Sequence, residues 1–132
     1  MLLWDHWQRA FDQPPDAIVG QPNLESNGQN QFFLKPKANT LSWCYDTCFH
    51  KNSLWLADTG NGRILFFKKI PGINNEAADD FRGTPGFESI GEHLETGMEN
   101  SERLYWPFSV SISNNQLAVA DTGNHRIAFY KL

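Results

Sequence analysis

The chain is poor in the features that would tie it to a secreted, membrane or nucleic-acid setting. It holds two cysteines and two methionines in 132 residues. No stretch approaches the roughly 18 apolar residues that a membrane helix needs. The opening Met1-Leu2-Leu3-Trp4-Asp5-His6-Trp7-Gln8-Arg9 has neither a basic leader nor an apolar run long enough for a secretory signal. A cytoplasmic location with no membrane contact is therefore expected. Cys44 and Cys48 fall in a stretch that reads as a strand, which puts their Cα atoms about 13 Å apart. That is beyond disulfide reach and fits a reduced compartment.

Clustered positive charge is also scarce. No Lys/Arg run is longer than Lys68-Lys69, so the footprint that a phosphate backbone demands is missing and nucleic-acid binding is disfavoured. Net charge is -4, concentrated in Glu76 to Glu102, where Glu76, Asp79, Asp80, Glu88, Glu92, Glu95, Glu99 and Glu102 face Arg82 alone. This segment reads as a solvated loop, or more sharply as a docking surface for a basic partner or Ca²⁺. Catalytic signatures are missing too. There is no HExxH, Gly-rich phosphate loop or nucleophile motif, so no catalytic residue and no cofactor is assigned. His6, His93 and His125 stand in separate segments without companions, and Gly28 with Ser26, Asn27, Gln29 and Asn30 marks only a polar loop.

What is abundant is stiff aromatic material and turn formers: ten Phe, five Trp, ten Gly and seven Pro. That mix leans toward strands in one domain burying roughly two thirds of its surface. Sliding the chain on itself by 63 places lays Leu41 to Lys69 over Leu104 to Leu132 without a gap. Leu41/Leu104, Trp43/Trp106, Asn52/Asn115 and Leu54/Leu117 match. Then Ala57-Asp58-Thr59-Gly60-Asn61-Gly62-Arg63-Ile64 meets Ala120-Asp121-Thr122-Gly123-Asn124-His125-Arg126-Ile127, identical at seven of eight positions. A weaker echo relates Met1-Leu2-Leu3-Trp4 to Ile64-Leu65-Phe66-Phe67. Another sets Asp16-Ala17-Ile18-Val19-Gly20 beside Glu88-Ser89-Ile90-Gly91 at a different spacing, which implies an insert of about eight residues before Trp43, a length read from the sequence echoes.

Strands are expected near 1–6, 16–20, 43–50, 53–58, 62–69, 87–91, 106–113, 116–121 and 125–131. Phe108, Val110 and Ile112 alternate with Ser109, Ser111 and Ser113, as Tyr45, Thr47 and Phe49 do in the first repeat. Short polar turns at Lys51-Asn52-Ser53 and Asn114-Asn115-Gln116 suit tight hairpins. In the second turn of each repeat, Asp58 or Asp121 is expected to accept hydrogen bonds from N–H groups two and three residues on. Gly60, Gly123 and the adjoining Asn are expected to supply positive φ. Four antiparallel strands per repeat match a propeller blade. The expected fold is thus all-β, a partial propeller over 1–132, with 1–20 as the last two strands of a preceding blade, 41–91 as a blade and 104–132 as three strands of the next.

The same residues carry a family resemblance. Ala120 to Ile127, the preceding Tyr105-Trp106-Pro107, and Asp16-Ala17-Ile18-Val19-Gly20-Gln21-Pro22 resemble NHL-repeat proteins of the bacterial type over nearly the whole chain. Departures are Cys44 against Pro107 and Gly62 against His125. The resemblance implies a propeller of about six blades, which this chain cannot close alone: it is expected to assemble with copies of itself, to complement a protein partner carrying the missing blades, or to be a truncated or split propeller. It also implies a noncatalytic scaffold that binds a protein, peptide or other ligand on its loop face. There Asn61, Arg63, Asn124, His125, Arg126, Trp43 and Trp106 would collect, with Asp58, Gly60, Asp121 and Gly123 as structural turn residues. The alternative is a subunit of a metal-assisted lyase or hydrolase completed by other blades, and RNA binding comes third. Cys44, Asp46, Cys48 and His50 would alternate onto one strand face, but same-face neighbours stand about 6.6 Å apart. Such a row holds no single ion well, and no metal site is assigned.

Overall fold

A computed structural model of the chain describes residues 1–89 and 101–132. These residues form three small antiparallel sheets with short 3₁₀ turns and no α-helix. Strands β1 (Leu2–Leu3) and β2 (Ala17–Ile18) make a two-stranded sheet. β3 (Cys44–His50), β4 (Ser53–Asp58), β5 (Arg63–Phe67) and β6 (Asp80–Arg82) make a four-stranded one in chain order. β7 (Pro107–Ser113), β8 (Gln116–Asp121) and β9 (Arg126–Lys131) make a three-stranded one. No helix among the described residues is long and apolar enough to cross a membrane.

Period-two alternation on β4 and β5 gives the central sheet two apolar faces. One face, from Leu54, Leu56, Leu65 and Phe67, packs on Leu3, Ala17, Val19 and Ala78. The other, from Trp55, Ala57, Ile64 and the partly buried Phe66, packs on Leu104, Val110, Leu117 and Val119. Both faces of one sheet are thus buried, at roughly 1.5–3 kcal/mol per large side chain removed from water. The third sheet uses one face to cover the second and leaves Ile127 and Phe129 of its other face 57% and 67% exposed.

The fourth strand of the central sheet lies at 80–82, not near 87–91. Residues 87–89 carry no strand, and 90 and 91 fall outside the described residues, as do His93 and part of the acidic segment. The reason is register. Ile64, Leu65 and Phe66 pair with Arg82, Phe81 and Asp80, while Leu2 and Leu3 pair with Ile18 and Ala17. Both sets obey the same shift of 63 positions. Asp16, Gly20 and Leu41 therefore correspond to Asp79, Gly83 and Leu104, and the insert expected before Trp43 does not exist. Gly20 and Gly83 share positive φ values of +87° and +100°, and a Cβ on either would run into the side chain of Leu41 or Leu104.

Candidate functional site

The Asp-Thr-Gly-Asn corners are built alike but not as turn chemistry alone suggests. Asp58 caps no N–H of its own turn. Its Oδ1 accepts from the Ser42 N–H at 2.7 Å, and its Oδ2 accepts from Asn61 Nδ2 at 2.8 Å and Arg63 Nε at 2.7 Å. Asp121 does the same with the Tyr105 N–H at 2.7 Å, Asn124 Nδ2 at 2.9 Å and Arg126 Nε at 2.8 Å. The carboxylate thus ties the corner to the segment that enters the sheet. Positive φ falls one residue later than expected, at Gly62 (67°) and His125 (53°). Gly60 and Gly123 are required instead for close approach. Their N–H groups donate to the Ser42 and Tyr105 carbonyls, and a Cβ would stand 2.9 and 2.7 Å from those oxygens.

The first corner is sealed. Arg63 is fully buried and donates through Nη1 to the Phe87 carbonyl and through Nη2 to the carbonyls of Lys37 and Thr40. Asn61 exchanges two 2.9 Å amide bonds with Asn30, which also accepts from the Thr40 hydroxyl. Asn30, read from sequence as part of a plain polar loop, is a buried member of this network. Burial raises the Asp58 carboxyl above its ordinary range, against the opposing pull of the Arg63 guanidinium, the Ser42 N–H and the Asn61 amide. Asn61 and Arg63 are committed to the chain's own polar groups. At the second corner Asn124 and Arg126 are half-buried and His125 is exposed.

The set Cys44, Asp46, Cys48 and His50 does not form one face. A bulge between Cys44 and Asp46 inserts Tyr45, and an equivalent bulge between Pro107 and Ser109 inserts Phe108. Asp46 is spent on the next sheet, its Oδ2 accepting from the Ser109 hydroxyl at 2.7 Å and the Val110 N–H at 2.9 Å. Burial pushes its carboxyl up, but these donors and the Thr47 N–H outweigh that and hold it below the usual range. Crowding by the surrounding chain pushes the Cys44 thiol up to about 11, aided by the Asp58 and Asp46 charges and opposed by the N-terminal amine. A thiol so raised is protonated at neutral pH and a poor nucleophile, although the residue keeps a solvent-exposed edge. Among the described residues no group of three or more His, Cys, Asp or Glu is placed to share an ion.

The bulges re-aim aromatic side chains. Phe108 leaves the row of Val110 and Ile112 and meets Tyr45 edge-on, with ring centroids 4.5 Å apart. Immediately before each bulged strand sits a tryptophan in the left-handed region, Trp43 and Trp106 both at φ 51°. A bulky residue there costs about 1 kcal/mol or more, yet the conformation recurs in both repeats. Trp43, Tyr45 and Trp106 are 63%, 61% and 46% exposed. Because Asp46 locks β3 against β7, the two tryptophans enter neighbouring strands at matching positions. These two strands therefore carry an aromatic strip, Trp43 and Tyr45 along one and Trp106 and the half-buried Phe108 along the other, in which Tyr45 touches Phe108 and Trp106 stacks on Tyr105 with ring centroids 4.7 Å apart. Sequence patterning marked Trp43 and Trp106 but placed Tyr45 in one row with Thr47 and Phe49, and Phe108 in one row with Val110 and Ile112, because a bulge leaves no trace in a period-two pattern.

Comparison with known proteins bears on residues 104–129, which match the family model of the NHL repeat. A comparison with curated proteins returns no match.

Proposed function

We propose, from the premise that this chain is an NHL-repeat protein, that it is a noncatalytic propeller scaffold that binds a protein or peptide through the aromatic strip of Trp43, Tyr45, Trp106 and Phe108. The observation that carries this is the pair of exposed tryptophans held at the same unfavourable φ in both repeats. Backbone strain kept twice at a surface points to a use for the side chains it presents. The exposed Ile127 and Phe129 support a second part of the reading, that a further blade stands against the third sheet.

The test is a peptide-display selection on the immobilised chain, followed by the double variant Trp43→Ala, Trp106→Ala. Selected peptides are expected to bind the double variant at least tenfold more weakly, with thermal unfolding shifted by only a few degrees. Peptides that bind both proteins equally would overturn the assignment of the strip.

A further inference from the structure

The segment that links β2 to β3 carries a run of apolar side chains with no place in either core. Phe32, Phe33 and Leu34 are 82%, 47% and 97% exposed. They are adjacent in the chain, and Lys35 and Lys37, both exposed, follow closely. No Asp or Glu stands between Glu25 and Asp46, so this stretch is basic in a chain whose net charge is -4.

The backbone beneath is held in an unfavourable shape. Asn30, Gln31 and Phe32 lie consecutively in the left-handed region, at φ 47°, 52° and 64°, which residues with a Cβ enter singly and at a cost. The Asn30 N–H donates to the Leu41 carbonyl at 2.8 Å, and the Asn30 side chain is joined to Asn61. Gln31 Nε2 donates to the Asn39 carbonyl at 2.9 Å and to the Asn75 side chain. The Phe32 ring lies across Gly28, where a Cβ would run into it. Lys37 Nζ stands 3.6 Å from the centre of the Phe33 ring. Polar anchors thus hold the base of the turn, and Phe32 and Leu34 project from it.

A turn with so few apolar side chains is too small for a stable protein interface, which takes roughly 800 Å² from each partner. It suits a lipid surface, which needs no complementary shape. Apolar side chains enter the headgroup boundary there, and lysines beside them meet its anionic groups. The exposed Trp7 and Phe11 lack this pairing, because Asp5, Asp12 and Asp16 flank them and Arg9 is spent on Asp5 and Asp16.

We propose that residues 32–37 are an anchor for an anionic membrane surface, with Phe32 and Leu34 in the headgroup boundary and Lys35 and Lys37 on the lipid phosphates and carboxylates. Such an anchor needs no spanning segment. It revises the expectation of no membrane contact, which followed from the lack of long apolar runs, and it does not rest on the aromatic strip.

The test is sedimentation of the full chain with vesicles of phosphatidylcholine containing about one-third phosphatidylserine, read together with amide hydrogen exchange. Saturable binding is expected, with slowed exchange at residues 32–35. On phosphatidylcholine alone it is expected to fall about tenfold or more. The double variant Phe32→Ser, Leu34→Ser is expected to bind about tenfold more weakly or worse. Lys35→Gln, Lys37→Gln is expected to lose about 25-fold on the anionic vesicles, from roughly fivefold for each lysine. These positions are exposed, so both variants are expected to unfold within a few degrees of the parent. Trp43→Ala, Trp106→Ala is expected to bind vesicles as the parent does. No sedimentation with the anionic vesicles, undiminished binding by either loop variant, or loss of binding confined to the tryptophan variant would overturn the proposal.

Discussion

The second and third sheets share their corner chemistry, their bulges and their left-handed tryptophans, but they differ in what covers them. Ile64 is 0% exposed and its counterpart Ile127 is 57% exposed. Arg63 and Asp58 are wholly buried, whereas the Arg126 side chain is 34% exposed beside a buried Asp121. The hydrogen bonds of the corner are alike to within 0.1 Å, such as 2.7 against 2.8 Å for the arginine Nε bond. The corner therefore takes its geometry from the local sequence, and the segments that close over it, Asn30 to Thr40 and Phe87 at the first corner, decide how much that geometry is worth. An ion pair in water contributes little, while the same pair deprived of water is very costly to break.

The widest gap between the two repeats is expected at that arginine. Arg63→Ala leaves Asp58 buried and unpaired and is expected to cost about 3–5 kcal/mol, whereas Arg126→Ala is expected to cost about 1–2 kcal/mol because water reaches the site. Urea unfolding of the two variants measures both. Equal losses would mean that coverage does not set the energy of the corner.

A smaller effect is expected at the joint between the sheets. Asp46 accepts from Ser109 and Val110 of β7, and its folded-state carboxyl lies below the ordinary value. A depressed carboxyl contributes stability that is complete above the unfolded value of about 3.9 and is lost as pH falls through the folded one. Asp46→Asn is expected to cost about 1 kcal/mol at pH 7. It is also expected to flatten the fall of the urea midpoint between about pH 5 and pH 2. An acid limb as steep in the variant as in the parent would remove Asp46 from the joint.

Much of this architecture is legible in the residues. The block from Ala57 to Ile64 and its copy from Ala120 to Ile127 give the repeat, and the alternation of Leu54, Leu56, Leu65 and Phe67 gives a buried strand pair. The outer strand is harder to read, because Asp79-Asp80-Phe81-Arg82 has the composition of an acidic loop. What identifies it is a backbone donor 11 residues away, Lys68 for Asp79 and Asp5 for Asp16. The Asp58 carboxylate likewise binds Ser42, 16 residues upstream, rather than its own turn. Asn30 belongs to no motif and becomes buried only because the incoming segment folds onto Asn61. In each case the missing information is a long-range partner. The aromatic strip is half legible, as two tryptophans without the bulges that set Tyr45 against Phe108.

The most direct test of equivalent sheets under unequal cover is one pair of urea titrations, on Ile64→Ala and Ile127→Ala. The first is expected to lower stability by about 2–5 kcal/mol, as large-to-small changes in a packed interior do, and the second by less than about 0.5 kcal/mol, as at an open surface. Comparable losses at the two positions would contradict the arrangement.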